Sequence, residues 1–458
     1  MSMTKSTAAK NEATMITDLT QGNVVKLLFI FAAPLFVSNV LQSVYNIVDM
    51  IVVGRVVGGV GMSAVSTGGN ILGLLMFLAM GFSSAGQVLI ARYVGANDVL
   101  SIKKVIGSMF TLLLSMSIAM SVICYIFRDQ ILHLVNTPAE AYQYTMDYTV
   151  TCIFGLVFIY GYNIVSAILR GMGDSKRPFY FVAVATVVNI VLDILFIAYF
   201  DMAALGAALA TVIGQAVSFF YSLVYLYRKK ESFGFDFKPA SFIPDRQITK
   251  QIFSLGIPMS LQSAAVHISF TVVAAWVNAF GVISSAIAGI YGKFGNIMGT
   301  MSNSMTTAAA SMVGQNLGAR KYKRVPEILF WAMGLSAIMA AVCSALLYFF
   351  PDQLFQLFTK DMAVVTAASV IILPSVLNFF GCAARTFAFG LINGSGNANL
   401  NLAVALFDGL ISRIGIAYLL GFVLDWGPLG FWMGDAIAGY VPLVISGVYY
   451  LSGKWKKQ

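Results

Sequence analysis

Twelve long runs of apolar residues, separated by short polar segments, account for most of the chain. An α-helix needs about 20 apolar residues to cross the hydrocarbon core of a bilayer. The alternating ten-residue strands of a transmembrane β-barrel are missing from the sequence. The pattern predicts an all-α polytopic membrane protein with twelve transmembrane helices, at 24–53, 64–91, 105–127, 142–168, 179–200, 203–227, 251–280, 283–311, 326–350, 363–391, 400–424 and 428–451.

The composition supports this class, because 59% of the 458 residues are hydrophobic and only 10% are charged. Soluble domains carry roughly 25% charged residues. The first 20 residues are polar and contain no apolar core of a signal peptide, so we expect no secretory signal. The four cysteines lie in apolar runs without metal-type spacing, and we interpret them as small packing residues. We expect no cofactor.

The net charge of +9 is distributed unevenly along the chain. If the N-terminus is placed in the cytoplasm, 22 of the 28 Lys and Arg residues fall in segments on that side. The outside loops hold only Arg55, Arg128 and Lys360, and the remaining three lie within spans. This asymmetry follows the positive-inside rule, so we expect both termini to be cytoplasmic. It also explains the basic balance without a nucleic-acid partner.

The second half of the chain repeats the first. Four landmarks return at an offset of 223 or 224 residues: Val94-Gly95-Ala96 as Leu317-Gly318-Ala319, Gly171-Met172-Gly173 as Gly394-Ser395-Gly396, Pro34 as Pro258, and Leu205-Gly206 as Leu429-Gly430. Two copies of six spans share one orientation and are related by a pseudo-two-fold axis along the membrane normal, as in secondary transporters. We predict a cytoplasmic tail (1–23), an N-lobe (24–228), a cytoplasmic linker (229–250), a C-lobe (251–451) and a basic cytoplasmic tail (452–458).

Polar residues inside the spans are the candidates for function. Gln42, Tyr45 and Asp49 follow i, i+3, i+7 spacing in span 1, so they share one face of a helix. A carboxylate at membrane depth costs about 2.5–3.5 kcal/mol, which favours a cavity or a partner. Asn189 and Asp193, one helical turn apart in span 5, are candidates for that partner.

The helical rise places Asp49 and Asp193 at similar depths in the outer half of the N-lobe, together with Thr211 of span 6. Two carboxylates in a poorly solvated pocket repel one another, which favours a protonated form of one of them near neutral pH. Such a pair can bind a proton, and Na⁺ or an organic cation competes for the same charge. Mutually exclusive binding of this kind is the minimum requirement for antiport. At the repeat offset both acids are replaced by apolar residues, which favours a function over a requirement of the fold.

Three kinds of motif occur in order along the chain: Gln42-x-x-Tyr45-Asn46-x-Val48-Asp49 in span 1, Gly314-Gln315-Asn316-Leu317-Gly318-Ala319 after span 8, and Gly-x-Gly after spans 4 and 10. Together they resemble the motifs of the multidrug and toxic compound extrusion (MATE) family over essentially the whole chain. The resemblance implies a V-shaped, two-lobed antiporter that exchanges H⁺ or Na⁺ for organic, often cationic, compounds. It is specific to the DinF-like prokaryotic branch, which implies a coupling site in the N-lobe made by Gln42, Tyr45, Asp49, Asn163, Asn189, Asp193 and Thr211.

The resemblance departs from another pattern of the family, a glutamate in span 7 of the C-lobe. Span 7 contains His267 instead, which argues against sodium coupling in the C-lobe. We interpret His267 as a packing residue, with a proton relay as the alternative. Lys293 in span 8 either lines the cleft or extends toward the membrane surface.

A second polar set lies in the predicted C-lobe. Its members are Arg385, Asp408, Arg413 and Asp435. Pairing is the least costly way to keep charges at membrane depth, so we interpret them as a structural ion-pair network. A role in substrate binding or coupling is the alternative.

No ATP-binding motif appears, so an ion gradient must supply the energy for transport. We expect a monomeric exporter of small organic cations that works by alternating access in exchange for H⁺, located in the plasma membrane of a prokaryotic cell. Na⁺ at Asp49, Asp193, Asn189 and Thr211 is the alternative coupling ion. The bilayer lipids are the other expected partners.

Three other functions would each require a different pattern of polar residues. A flippase for lipids or lipid-linked oligosaccharides favours a strongly cationic cleft, and the basic residues within the spans keep it open. A membrane-embedded transferase needs clustered acids such as Asp-x-x-Asp, and a passive channel needs a repeated pore filter. Neither feature occurs in the sequence, so we expect no enzymatic activity and no channel.

Overall fold

The computed structural model describes residues 16–457, so most of the predicted N-terminal tail and the last residue lie outside the described part. The described residues form no β-strand. Their twelve long helical elements are α1 (Val24–Val56), α2 (Gly59–Gly95), α3 (Val99–Ile126), α4 (Tyr142–Gly171), α5 (Lys176–Tyr199), α6 (Ala203–Arg228), α7 (Arg246–Asn278), α8 (Val282–Gly318), α9 (Arg324–Phe349), α10 (Met362–Ser395), α11 (Ala398–Val423) and α12 (Pro428–Leu451). Each element coincides with one predicted span, so the predicted all-α fold is confirmed.

Eleven of these elements are long and apolar enough to cross a membrane, and α8 is the exception among the described residues. α8 has 37 residues, and its length of about 55 Å exceeds the roughly 30 Å hydrocarbon core. Small and hydroxyl-bearing residues lower the mean hydropathy of this helix. One of them, Ser302, is buried and lies 2.7 Å from the hydroxyl group of Thr386 on α10. The Ser302 hydroxyl of α8 therefore finds its hydrogen-bond partner inside the protein.

The chain divides into two compact units whose boundaries fall inside two helices. The first unit comprises Pro34–Gly256 with the segment that ends at Asp18, and the second comprises Leu19–Ala33 and Ile257–Gln458. α1 contains Pro34 and α7 contains Pro258, so both divisions lie at or next to a proline. Proline removes a backbone hydrogen bond from a helix interior and is the usual cause of a kink. The first residues of each six-helix half thus pack with the unit that the other half forms.

Two of the elements are not regular α-helices throughout. α5 changes to a π-helix over Ile194–Tyr199, directly after Asp193. α11 contains two π-helical segments, Phe407–Ser412 and Leu419–Val423. A π-helix contains one more residue per hydrogen-bonded turn than an α-helix, and it occurs frequently at functional sites. The buried acid of each element lies beside or inside such a segment.

Candidate functional site

Asp49 of α1 and Asp193 of α5 lie side by side in the first compact unit. Their side chains are in direct contact and can share a hydrogen bond when one carboxyl group is protonated. Thr211 of α6 places its hydroxyl group next to the Asp49 carboxyl. Three helices therefore meet at one point, and the structure brings together the two acids that the sequence analysis expected to be neighbours.

The acid pair is buried and has no counter-charge. Asp49 exposes 3% of its surface and Asp193 exposes none. Both carboxyl oxygens of Asp193, Oδ1 of Asp49 and the hydroxyl of Thr211 have no hydrogen-bond partner among the described residues. None of the ion pairs in the same range includes either acid. An ionised carboxylate is costly in such surroundings, so a bound proton or cation lowers the free energy of the site.

Asn189 lies one helical turn before Asp193 and is also buried, with 3% of its surface exposed. Its amide nitrogen and oxygen have no partner among residues 16–457. Gly214 of α6 faces this position: a Cβ atom there would lie 3.2 Å from the Asn189 Cβ and 3.1 Å from the Ala185 carbonyl oxygen. The glycine therefore permits the close approach of α5 and α6 at the depth of the acids.

Tyr45 connects the acid pair to further polar side chains. It lies near Asp49 and within hydrogen-bonding reach of Gln215, one turn after Thr211 on α6. Tyr148 and Cys152, one turn apart on α4, lie near both Tyr45 and Asp49.

Gln215 and Tyr148 were not predicted from the sequence, and Cys152 was predicted only as a packing residue. Their i, i+4 spacing was the one available signal: Tyr148 precedes Cys152 by one turn, as Thr211 precedes Gln215. Tyrosine and cysteine in an apolar run are also common as packing residues. The signal was therefore too weak to assign these side chains to the site.

Two other residues of the predicted coupling site, Asn163 and Gln42, make no described contact with the acids. Asn163 is half-buried on α4, and its Nδ2 donates a hydrogen bond of 2.9 Å to the Ile159 carbonyl of the same helix. Gln42 is half-buried on α1, two helical turns before Asp49. Among the described contacts, neither side chain reaches the carboxyl groups.

An apolar cluster packs around the end of α1 that follows Asp49. Its buried members come from five helices and include Val53, Ala64, Tyr148, Ile197 and Ala204. Small residues predominate where α6 contributes, so this helix packs closely against its neighbours. The cluster limits the access of water to the acids and keeps their surroundings of low polarity.

The second unit contains a buried network of charges. Arg385 donates hydrogen bonds of 2.8 and 3.0 Å to the two carboxyl oxygens of Asp408. Arg413, with none of its surface exposed, lies 3.4 Å from Asp408 and also pairs with Asp435. Tyr291 donates a hydrogen bond of 2.9 Å to Asp435. Two positive and two negative charges balance one another, in contrast to the acid pair of the first unit.

His267 and Lys293 lie on exposed positions of α7 and α8. The backbone carbonyl of His267 accepts a hydrogen bond of 3.0 Å from Thr271. Lys293 forms no ion pair within residues 16–457. In the same range, no group of three or more His, Cys, Asp or Glu side chains is arranged to hold a metal ion.

The MatE family profile matches the chain twice, over residues 34–195 and 258–419. The chain belongs to the MatE family. The two matches are displaced by 224 residues, which agrees with the internal repeat and covers most of both halves. Because the members of this family are transporters, the chain is a polytopic membrane transporter and not an enzyme.

Relatives of this MatE transporter match it over nearly its whole length. "Probable multidrug resistance protein YoeA" of Bacillus subtilis (strain 168) is 28% identical over 434 residues, which is 94% of each chain. "Multidrug export protein MepA" of Staphylococcus haemolyticus (strain JCSC1435) is 22% identical over 391 residues, 85% of this chain and 86% of that protein. A crystal structure of MATE in the bent conformation has a TM-score of 0.87 at 23% identity, covering 96% of this chain and 98% of that chain. The structural likeness shows that the fold is shared.

Proposed function

We propose that this MatE transporter is a secondary active multidrug efflux antiporter, which exports organic cations in exchange for H⁺ bound by Asp49 and Asp193. The observation that carries the proposal is a pair of buried, contacting acids without a counter-charge. The multidrug resistance and export names of its relatives support the class of substrate. Energy then comes from the gradient of the ion that the pair binds.

The charge of the pair changes by one unit each time a proton is bound or released. With one proton shared between the two carboxyl groups, the contact becomes a hydrogen bond and the pair carries a single negative charge. When the pair releases this proton, no cationic side chain among residues 16–457 pairs with the second negative charge. An organic cation that approaches the site supplies this balance, so proton and substrate bind in alternation. The Thr211 hydroxyl, which lies next to the Asp49 carboxyl, can donate a hydrogen bond to it when the pair is charged, and Tyr45 lies near the same carboxyl.

Na⁺ is the second candidate for the coupling ion, and the chemistry of the surrounding atoms favours it. The oxygens of Asp49, Asp193, Asn189 and Thr211 include carboxylate, amide and hydroxyl groups that have no hydrogen-bond partner in the described part of the chain. Hard cations prefer such oxygen ligands. The same acid pair serves in both cases, and only the ion differs.

A flippase for lipids is less well supported by the charges of the second unit. Such a protein needs free positive charges for a phosphate group, whereas Arg385 and Arg413 are each paired with a buried aspartate. Lys293 is the remaining basic residue of the three that lie within the spans.

We propose further that the protein is a monomer of the prokaryotic plasma membrane with both termini in the cytoplasm, in keeping with its bacterial relatives.

The test is the efflux of a fluorescent organic cation from proteoliposomes under an imposed pH gradient or an imposed Na⁺ gradient. Wild-type protein should respond to the pH gradient, and a response to Na⁺ alone would identify Na⁺ as the coupling ion. Asp49→Asn and Asp193→Asn should each lower gradient-driven efflux by at least about tenfold. Asp352→Asn, at an exposed position between α9 and α10, is the matched control and should transport normally. Full activity of both acid variants would show that the pair does not couple transport.

A further inference from the structure

A cavity of about 480 Å³ lies in the second unit, where α12 ends and the chain approaches the start of α9. Six of the residues that line it are Tyr322, Lys323, Tyr450, Leu451, Trp455 and Lys456. The cavity belongs neither to the acid pair nor to the charge network described above, and its lining combines aromatic rings with two ammonium groups.

The aromatic wall of this cavity is built from side chains that hold one another in place. The rings of Tyr450 and Trp455 are stacked, with centroids 6.0 Å apart and planes inclined by 4°. Trp455 is 2% exposed, and its indole nitrogen donates a hydrogen bond of 3.0 Å to the Tyr450 carbonyl. The ring of Tyr322 meets Trp455 edge-on at 6.4 Å. The wall is therefore formed before any ligand arrives.

The charge at the cavity is positive. Lys323 and Lys456 are exposed, and neither forms an ion pair with a described residue. The Lys456 ammonium group lies 5.3 Å from the centre of the Trp455 ring. None of the residues that line the cavity is acidic. An anionic group that enters can therefore meet two uncompensated positive charges.

The cavity continues an apolar surface of α12. Val444, Val448 and Leu451 follow i, i+4, i+7 spacing and are 66%, 67% and 83% exposed. Exposed aliphatic side chains on a membrane-spanning helix face lipid, and the aromatic and lysine residues at its end are typical of the membrane interface. The position therefore matches the depth at which phospholipid phosphate groups lie.

We propose that this cavity binds the headgroup of an anionic phospholipid. The ammonium groups of Lys323 and Lys456 contact its phosphate oxygens, and the Tyr322 hydroxyl donates a further hydrogen bond. The acyl chains extend along the exposed face of α12. This site is independent of the coupling ion and of the transported substrate.

The experiment is native mass spectrometry of the purified full-length protein during titration with a phosphatidylglycerol, with phosphatidylcholine as the zwitterionic lipid. The double variant Lys323→Gln/Lys456→Gln should bind phosphatidylglycerol about tenfold more weakly than wild type, because each interfacial lysine contributes to the attraction of an anionic lipid. The matched control is Lys454→Gln/Lys457→Gln, which removes the same two positive charges from residues near Lys456 but outside the cavity lining. Its affinity should stay within about twofold of wild type.

Three results would overturn the proposal. Equal weakening in both double variants would mean that lipid responds only to the net positive charge of this surface and not to the cavity. Equal binding of phosphatidylcholine and phosphatidylglycerol by wild type would exclude recognition of the anionic headgroup. Full displacement of phosphatidylglycerol by millimolar inorganic phosphate would assign the site to free phosphate. Tyr322→Phe keeps the ring and should show a smaller loss of affinity than the lysine double variant.

Discussion

Replacement of a buried aspartate by asparagine should affect the stability of the protein differently in the two compact units. Arg413 is fully buried and pairs with Asp408 and Asp435, while Asp408 also pairs with Arg385. The four charges cancel, so Asp435→Asn leaves one buried positive charge without compensation. Removal of one partner of a buried ion pair costs about 3–5 kcal/mol. Asp193 has no cationic partner among the described residues, so Asp193→Asn leaves no buried positive charge unpaired and should lower stability by less than about 1 kcal/mol or raise it.

The assay is thermal unfolding of purified wild type and both variants in one detergent and one buffer. For a unit of about 200 residues, each kcal/mol shifts the midpoint by about 2–4 °C. Asp435→Asn should therefore unfold roughly 6–20 °C earlier than wild type. The double variant Arg413→Met/Asp435→Asn restores the charge balance and should regain part of this loss. A wild-type midpoint for Asp435→Asn, or a larger loss for Asp193→Asn than for Asp435→Asn, would refute the reasoning.

Three further predictions concern single contacts. Thr211→Val removes the hydroxyl group next to Asp49 at almost constant volume, and should lower gradient-driven efflux several-fold without loss of folded protein. Gly214→Ala introduces a methyl group into the tight contact with α5 and should cost about 1–3 kcal/mol in thermal unfolding. The pKa of Asp245, which precedes α7, is lowered because its carboxylate accepts a hydrogen bond from the Ile248 amide, so its stabilising contribution is present at neutral pH and is lost as the pH falls below about 4. Asp245→Asn should unfold earlier than wild type at pH 7 and show a smaller difference at pH 3.

The positions of the helices could be predicted because the membrane restricts the chain so strongly. Every span needs a long apolar run, and the start of α12 at Pro428 and the end of α1 near Val53 were both visible in the sequence. The pairing of Asp49 with Asp193 was also accessible, because an acid in an apolar run requires a partner and few polar residues are available to provide one.

Other features depend on contacts between helices and could not be predicted. The π-helical segment after Asp193 consists of ordinary apolar residues, so nothing in its composition distinguishes it from an α-helix. Tyr148 reaches the site because α4 packs closely against its neighbours: a Cβ atom at Gly68 of α2 would lie only 2.4 Å from its ring. Asn163 was expected at the site on the basis of a family motif, whereas its amide is bonded within its own helix. The positions of these side chains and the local helix type depend on packing between helices, which the pattern of residues along the sequence does not specify.

The exchange of the first residues of α1 and α7 between the two compact units limits how the protein can be divided. A cut in the segment between α6 and α7 would remove the start of α7, from Arg246 to Gly256, from the N-terminal fragment, although these residues belong to the first unit. The same fragment would retain Leu19–Ala33, which the other unit requires. Each fragment would therefore lack residues that pack with its unit, and we expect the two halves of this duplicated chain to be less stable when separated than when joined.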